Sequence, residues 1–374
     1  MEAFLSSIES AFIIFPVIAL VFTIPYIIYE YHKYGSIPAY RSLIIYSFLL
    51  YMLCSYFLVI LPLPEKSMVM QMKIPQYNLI PFHFISEIAE KTSFHVSDFA
   101  TYFPSLKNPV FYEAIFNVFL LIPFGIYLRY YFNLNLKKTM FYSFCYTLFF
   151  ELTQLTGLYF IYPRGYRVFD VDDLLLNTLG GVIGYFIGNA LSKVLPSQEE
   201  INEAAYKDSK NISIFRRYTC QLVDLIIIFL LLEIIYLLMI HFQIFTEFVA
   251  MIIFILIIMS YYLVIPLFLN QGTLMMNFFH LRYKTSKKLT MIKLASYYFF
   301  KLYIYALIPL SLLGISFILY QKKIITFQVL KYFCIAIFTF TLLTYVITLL
   351  KRILKRQTIP EKLSKVTIES TLKK

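Results

Sequence analysis

Charge is what this sequence has least of. Only 14% of its 374 residues are Asp, Glu, Lys or Arg, against 60% hydrophobic, whereas soluble domains run near about 25% charged. So few ionic groups do not cover a water-facing surface, which excludes a soluble single-domain enzyme and a disordered chain. Cysteine is scarce too. Cys54, Cys145, Cys220 and Cys334 lie far apart, with no CxxC or Cys/His spacing. That excludes a disulfide-rich secreted fold and predicts no metal centre. Each is expected to be a small buried apolar residue. The first apolar run opens with Glu2 and Glu9 and no Lys or Arg. Without a basic start, and at its length, it is expected to stay as an anchor rather than be a cleaved leader.

What is abundant is apolar sequence in runs of bilayer-crossing length, for which helix needs roughly 20 residues. Such runs occupy 10–29, 42–63, 114–128, 139–162, 174–192, 218–241, 248–269, 302–320 and 332–350. The fold class expected is therefore all-α: a polytopic integral membrane protein with about nine transmembrane helices. The net charge of +12 then becomes a question of placement. Taking 351 onward as cytoplasmic puts 24 of the 33 Lys and Arg in inside segments, so the positive-inside rule predicts the N-terminus outside and the C-terminus inside. The excess faces anionic cytoplasmic lipid and calls for no nucleic-acid partner. The polar stretch 196–211 reads as a cytoplasmic linker between membrane domains at 1–195 and 212–350, with 351–374 as a basic cytoplasmic tail. No internal repeat relates the halves.

In the first half, polar residues sit where a membrane makes them expensive. Asn78, Pro81 and Phe82 belong to an outer segment expected to lie in or re-enter the interface, its irregular backbone buried by protein. An ordinary amphipathic surface loop is the alternative. Asn117 lies in the third helix ahead of Pro123, which removes a helix hydrogen bond and suggests a kink. Glu151 and Gln154 share a face of the fourth helix. Arg164, Arg167, Asp170, Asp172 and Asp173 then lead to Asn177, and Asp170, Asp173 and Asn177 share a face if the fifth helix begins by Asp170. An ionisable residue inside a membrane helix marks a functional site by default. The partner expected for Glu151 is Arg167, either within a ligand site or as a structural lock. Gly180, Gly184 and Gly188, with Gly181, form a small-residue stripe for close helix approach.

These residues carry a family resemblance. Asn78-Leu79-Ile80-Pro81-Phe82, Asn117 with Pro123-Phe124-Gly125, Glu151-x-x-Gln154, and Arg167-x-Phe169-Asp170-x-Asp172-Asp173 leading to Asn177-Thr178-Leu179-Gly180-Gly181 resemble, in order over about 40–195, the VanZ-like family of bacterial membrane proteins. That family is named for a member of a glycopeptide-resistance cluster associated with low-level teicoplanin resistance. The resemblance implies the bacterial plasma membrane and cell envelope as the place of action. The second half resembles the RDD family. Its motif residues here are Arg217 and Asp224, then Gly272, Thr273 and Arg282, with Met275-Met276 where the family's Gly-Lys stands. Arg217 and Asp224 are about two helical turns apart and are expected to pair or anchor the helix at the interface. Glu233, in mid-span, is expected to face the bundle interior.

The function expected is an envelope protein that binds or shields an amphiphilic ligand. Candidates are membrane lipid, a lipid-linked cell-wall precursor or a lipoglycopeptide such as teicoplanin. Arg164 and Arg167 would meet phosphate or carboxylate, and the acids would accept hydrogen bonds from hydroxyl or amine. The sequence offers no nucleophile motif, phosphate loop or metal cluster, so no catalytic residue and no cofactor is assigned. The competing readings are an intramembrane enzyme using paired carboxylates, and a lipid or ion transporter using Glu151, Asp224 and Glu233 as a polar path. Oligomeric state is not set by the sequence.

Overall fold

The computed structural model describes residues 2–92, 95, 97–105, 108–243, 246–286, 288–354 and 356–372. It divides into two units, Met1–Ile24 with Pro38–Ile201, and Pro25–Ile37 with Asn202–Lys374. Among the described residues eight helices are long and apolar enough to cross a membrane. The protein is all-α and polytopic, with four short strands among the described residues.

The first unit is built from α1 (Glu2–Lys33, whose end belongs to the second unit), α2 (Ala39–Ile60), α3 (Lys66–Gln71), β1 (Tyr77–Asn78), α4 (His83–Lys91), α5 (Tyr102–Ser105), α6 (Pro109–Tyr130), α7 (Leu136–Leu155), α8 (Gly157–Phe160), β2 (Phe169–Asp170) and α9 (Val171–Leu191). The caps explain the starts. Asn108 accepts from the Val110 N–H with Pro109 behind it, Asn135 from Lys138 and Asp170 from Asp172, each satisfying an orphan donor of the first turn. Pro123 leaves α6 continuous, and Tyr51 donates to the Leu120 carbonyl (2.8 Å) one turn before it. The expected fourth span 139–162 is shorter than its apolar run: α7 ends at Leu155. Leu158 and Tyr159 then take left-handed φ of 55° and 53°, which turns the chain out of the helix.

Close approach of α6 and α9 organises this unit. A Cβ at Gly180 would fall on the Val118 carbonyl oxygen, at Gly184 on that of Ile122, and at Gly125 on that of Gly181; one at Gly181 would meet the Ser143 hydroxyl of α7. Backbone therefore packs on backbone, and the residues alongside form a core of Leu120, Leu121, Phe124, Leu128 and Phe150. Phe124 stacks on Tyr146 at 4.9 Å between ring centroids.

The second unit contains α10 (Gln198–Ser209, whose start belongs to the first unit), α11 (Ile214–His241), α12 (Glu247–Met259), a π-helical turn (Ser260–Val264), α13 (Ile265–Phe268), α14 (Leu274–Phe278), β3 (Leu281–Lys284), α15 (Met291–Leu302), a second π-helical turn (Tyr303–Leu307), α16 (Ile308–Gln321), α17 (Phe327–Ile353), α18 (Ile359–Ser364) and β4 (Thr367–Ser370). The stretch expected as a linker forms α10, with Ile201 and Ala205 buried. The stretch expected as a basic tail is packed: β4 pairs antiparallel with β3, and Val366 is buried in the core with Phe279, Leu281 and Leu294. Residues 355, 373 and 374 of that stretch lie outside the described residues. The helix expected from 302 begins at Met291 and runs through the second π turn to Gln321, which puts Lys293 and Lys301 in helix rather than loop.

Two expectations are corrected by burial. Cys220 is buried, but Cys145 and Cys334 are exposed and Cys54 is half-buried. Glu233 lies on an exposed face of α11, not in the interior. In a spanning helix the outer face is as apolar as the packed one, so an apolar run does not say which way a given side chain points.

Gly184→Ala is expected to lower stability by about 1–3 kcal/mol, because its Cβ meets a fixed carbonyl. Gly314→Ala, where nothing lies within 4 Å, is expected to be neutral or to gain up to about 1 kcal/mol of helix propensity. Thermal unfolding of both variants in detergent checks the contrast; equal Tm values would refute it.

Candidate functional site

The first unit brings its polar motifs together through backbone geometry. β1 and β2 pair in parallel, Tyr77 opposite Phe169 and Asn78 opposite Asp170, so the 61–92 segment and the start of α9 are joined residue to residue. The Asn78 amide donates to the Asp170 carboxylate (3.1 Å). The Glu151 carboxylate accepts the Asp170 backbone N–H (3.1 Å). Asn117 on α6 donates to Asp173 on α9, and Asn177 donates to the Thr147 hydroxyl on α7 (3.1 Å). Gln154 donates to the Val59 carbonyl (2.9 Å) at the end of α2.

A cavity of about 550 Å³ opens at this junction. Asn117, Glu151, Gln154, Arg167, Asp170, Asp173 and Asn177 all line it, so most of the predicted site residues converge on one space. Asn78, Pro81, Phe82 and Arg164 do not line it. Asn78 acts through Asp170, as above. Phe82 is exposed and takes a left-handed φ of 63° at the start of α4, with Pro81 in the turn before it. Arg164 donates to the backbone carbonyls of Met72 (2.5 Å) and Ile74 (2.6 Å). Two of its terminal N–H groups thus hold the 61–92 segment, away from the cavity.

Arg167 is also not the ion-pair partner expected for Glu151. It donates to the Val59 carbonyl (2.8 Å) and reaches that of Leu61 (3.5 Å). The exposed carbonyls at the end of α2 are acceptors without helical partners, and they capture the nearest guanidinium. Glu151, only 3% exposed, is held instead by a backbone donor.

Three carboxylates escaped the expected site. Asp172 was recognised in the sequence only within the charged cluster and its motif, yet it clamps the 61–92 segment, accepting from the backbone N–H of Phe82 (2.5 Å) and Phe84 (2.8 Å). Glu113 and Glu87 line the cavity. Glu113 precedes Asn117 by one helical turn, and that i,i+4 relation was available as a signal. Glu87 sits on a separate short helix, and spacing gave no hint of it. The cavity thus carries six carboxyl groups, on Glu87, Glu113, Glu151, Asp170, Asp172 and Asp173, and one guanidinium. Carboxyls so gathered cannot all ionise unopposed, so the space suits bound protons, a cationic group or several hydroxyl donors.

In the second unit the expected motif residues each have separate partners. Arg217 does not pair with Asp224 but bonds Glu361 of α18 at 2.7 Å. Asp224 accepts from the hydroxyls of Tyr261 and Thr273 and from the Met275 N–H, which fixes the 270–276 turn. Gly272 lies in that turn, 3.0 Å from its neighbours if given a Cβ. Arg282 pairs with Glu369 of β4 (2.6 Å). Arg216, beside Arg217 in that motif, is fully buried and donates to the carbonyls of Phe279, His280 and Ser209. Among the described residues no cluster of His, Cys, Asp and Glu has the form of a metal site.

Residues 48–192 match the VanZ/LLP1 family model, so a domain of that family occupies this part of the chain. No curated protein and no solved structure matches the chain.

Two predictions come from these contacts. Asp172→Ala removes the acceptor of two backbone donors, each worth about 1–3 kcal/mol if left buried and unpaired. The expected result is a lower Tm and faster proteolysis within 61–92; an unchanged cleavage pattern would show that the clamp does not hold that segment. For Glu361, burial pushes the carboxyl up, but the Thr358 N–H and the Arg217 guanidinium outweigh it and hold the group below its ordinary 4.5. A depressed carboxylate contributes stability that is complete above the unfolded pKa and is lost as pH falls through the lower folded one. Glu361→Gln should therefore cost on the order of 3 kcal/mol at pH 7 and lose part of the wild-type fall in Tm below pH 4.5.

Proposed function

We propose that the first unit of this VanZ-type membrane protein binds the polar head of an amphiphilic envelope molecule in the cavity between α6, α7 and α9. The carrying observation is convergence: residues from motifs far apart in sequence line one space of about 550 Å³, a size suited to a sugar or peptide head group. Six carboxyl groups supply acceptors for hydroxyl and amine donors, and Arg167 supplies one site for a phosphate or carboxylate. Lipid-linked cell-wall precursors and lipoglycopeptides such as teicoplanin both combine a donor-rich polar part, an acidic group and an acyl chain. Binding or shielding such a molecule accounts for a role in glycopeptide resistance. The charge distribution along the sequence supports placing this cavity toward the outer face of a bacterial plasma membrane, with the N-terminus outside.

Binding is favoured over transport because Asp224 is saturated by its own turn and Glu233 lies on an exposed face. Neither supplies the step of a polar path that the transporter reading required. Binding is favoured over catalysis because Glu151, Asp172 and Asp173 each already hold a backbone or amide donor, and the lining hydroxyls of Ser7 and Tyr112 have no His among the lining residues to activate them.

Expression of the wild type in a susceptible Gram-positive host is expected to raise the inhibitory concentration of teicoplanin. Glu151→Gln and Arg167→Ala should each abolish the rise while membrane abundance, read by immunoblot, stays at the wild-type level. Loss of abundance in both variants would instead make these residues a structural lock.

A further inference from the structure

The second unit contains a cavity of about 430 Å³ walled by tyrosines, among them Tyr218, Tyr262, Tyr298 and Tyr305, and carrying two cations, Lys301 and Arg352. No carboxylate lines it. Three nearby acids of this unit are committed elsewhere: Glu361 to Arg217, Glu369 to Arg282 and Lys284, and Asp224 to Tyr261 and Thr273. Lys301 stands 6.0 Å from the Tyr298 ring centroid and Arg352 5.2 Å from that of Tyr218. Aromatic faces hold a cation in place without neutralising it. The Nε and Nη1 groups of Arg352 are buried and have no hydrogen-bond partner among the described residues. A guanidinium left unpaired in this way is a donor set without its acceptor.

The backbone also marks this space. Both π-helical turns of the unit, Ser260–Val264 and Tyr303–Leu307, deliver a tyrosine to its wall, Tyr262 and Tyr305. Such turns cost regular helix geometry and recur at functional sites. Arg352 lies in the last turn of α17, at the charged end of an apolar span, where a bilayer passes from hydrocarbon to head groups. Leu302, also on the cavity wall, is exposed on the outer surface of its helix, so the cavity borders a surface suited to acyl chain.

We propose that this cavity binds the phosphate of an anionic lipid, with Arg352 donating its unpaired N–H groups to phosphate oxygens and Lys301 supplying the second positive charge. The tyrosine walls pack the glycerol and upper chain. The same oxygens occur on free inorganic phosphate, and the experiment separates the two sources.

The test uses the full chain, purified in detergent and reconstituted in nanodiscs of phosphatidylcholine with or without phosphatidylglycerol. Native mass spectrometry and Tm are read with each lipid, and Tm again with inorganic phosphate alone. Wild type is expected to retain phosphatidylglycerol about tenfold better than phosphatidylcholine and to gain Tm with it. The double variant Lys301→Met, Arg352→Gln should lose that preference, while Arg352→Lys keeps part of it. A wild type that holds both lipids equally, or a double variant with undiminished preference, overturns the proposal. A Tm gain with inorganic phosphate and none with phosphatidylglycerol overturns the lipid assignment. Should the double variant fail to fold, wild type still decides: the preference must fall as salt rises, and a salt-independent preference counts against the site.

Discussion

Where α6 and α9 touch, main chain meets main chain. Gly180 and Gly184 face the carbonyls of Val118 and Ile122, and Gly125 faces that of Gly181. In a bilayer, helices gain little from burying apolar surface against one another, so association rests on close packing and on polar contacts between helices. The glycines supply the first and make the second possible. With α6 and α9 this near, Asn117 reaches Asp173, and with Gly181 against Ser143 of α7, Asn177 reaches Thr147, contacts that a larger residue in the stripe would break by separation alone. The acidic cavity is a consequence of that approach.

The second constraint is that irregular backbone at membrane depth must find partners in protein. The stretch between α2 and α6 satisfies this through side chains of the α7–α9 connection and of α9 itself. Arg164 takes the carbonyls of Met72 and Ile74, Arg167 those of Val59 and Leu61, and Asp172 the N–H groups of Phe82 and Phe84. Much of the charge that reads as a ligand site in the sequence therefore holds the site's own frame. What remains for a ligand is the acidic lining and one face of Arg167. The second unit repeats the logic with Arg216, whose buried guanidinium gathers the carbonyls of Ser209, Phe279 and His280.

Unequal use of charge separates the two cavities. Carboxyls outnumber cations around the first cavity, whereas the second is lined by Lys301 and Arg352 and by no carboxylate. Lys301 was hidden from the sequence because it looked like the last basic residue of a loop. Only the helix beginning at Met291 shows that it sits inside a span, against tyrosines.

The sequence by itself determined the class of this protein. Scarce charge and span-length apolar runs require a helical membrane protein, because neither strand edges nor water-facing surface can be satisfied by such a composition. It also pointed to Glu151, Gln154 and Asn177, which are costly in a membrane helix unless partnered, and the glycine spacing marks the face that carries the contact. Tertiary structure alone decided who partners whom. Arg167 turned to carbonyls rather than to Glu151, Arg217 to Glu361 rather than to Asp224, and Glu87 entered the cavity from a helix no spacing connects to it. The physical reason is that periodicity fixes directions within one helix, whereas a charged side chain chooses among all acceptors that packing brings within about 3 Å. That choice exists only once the helices have met.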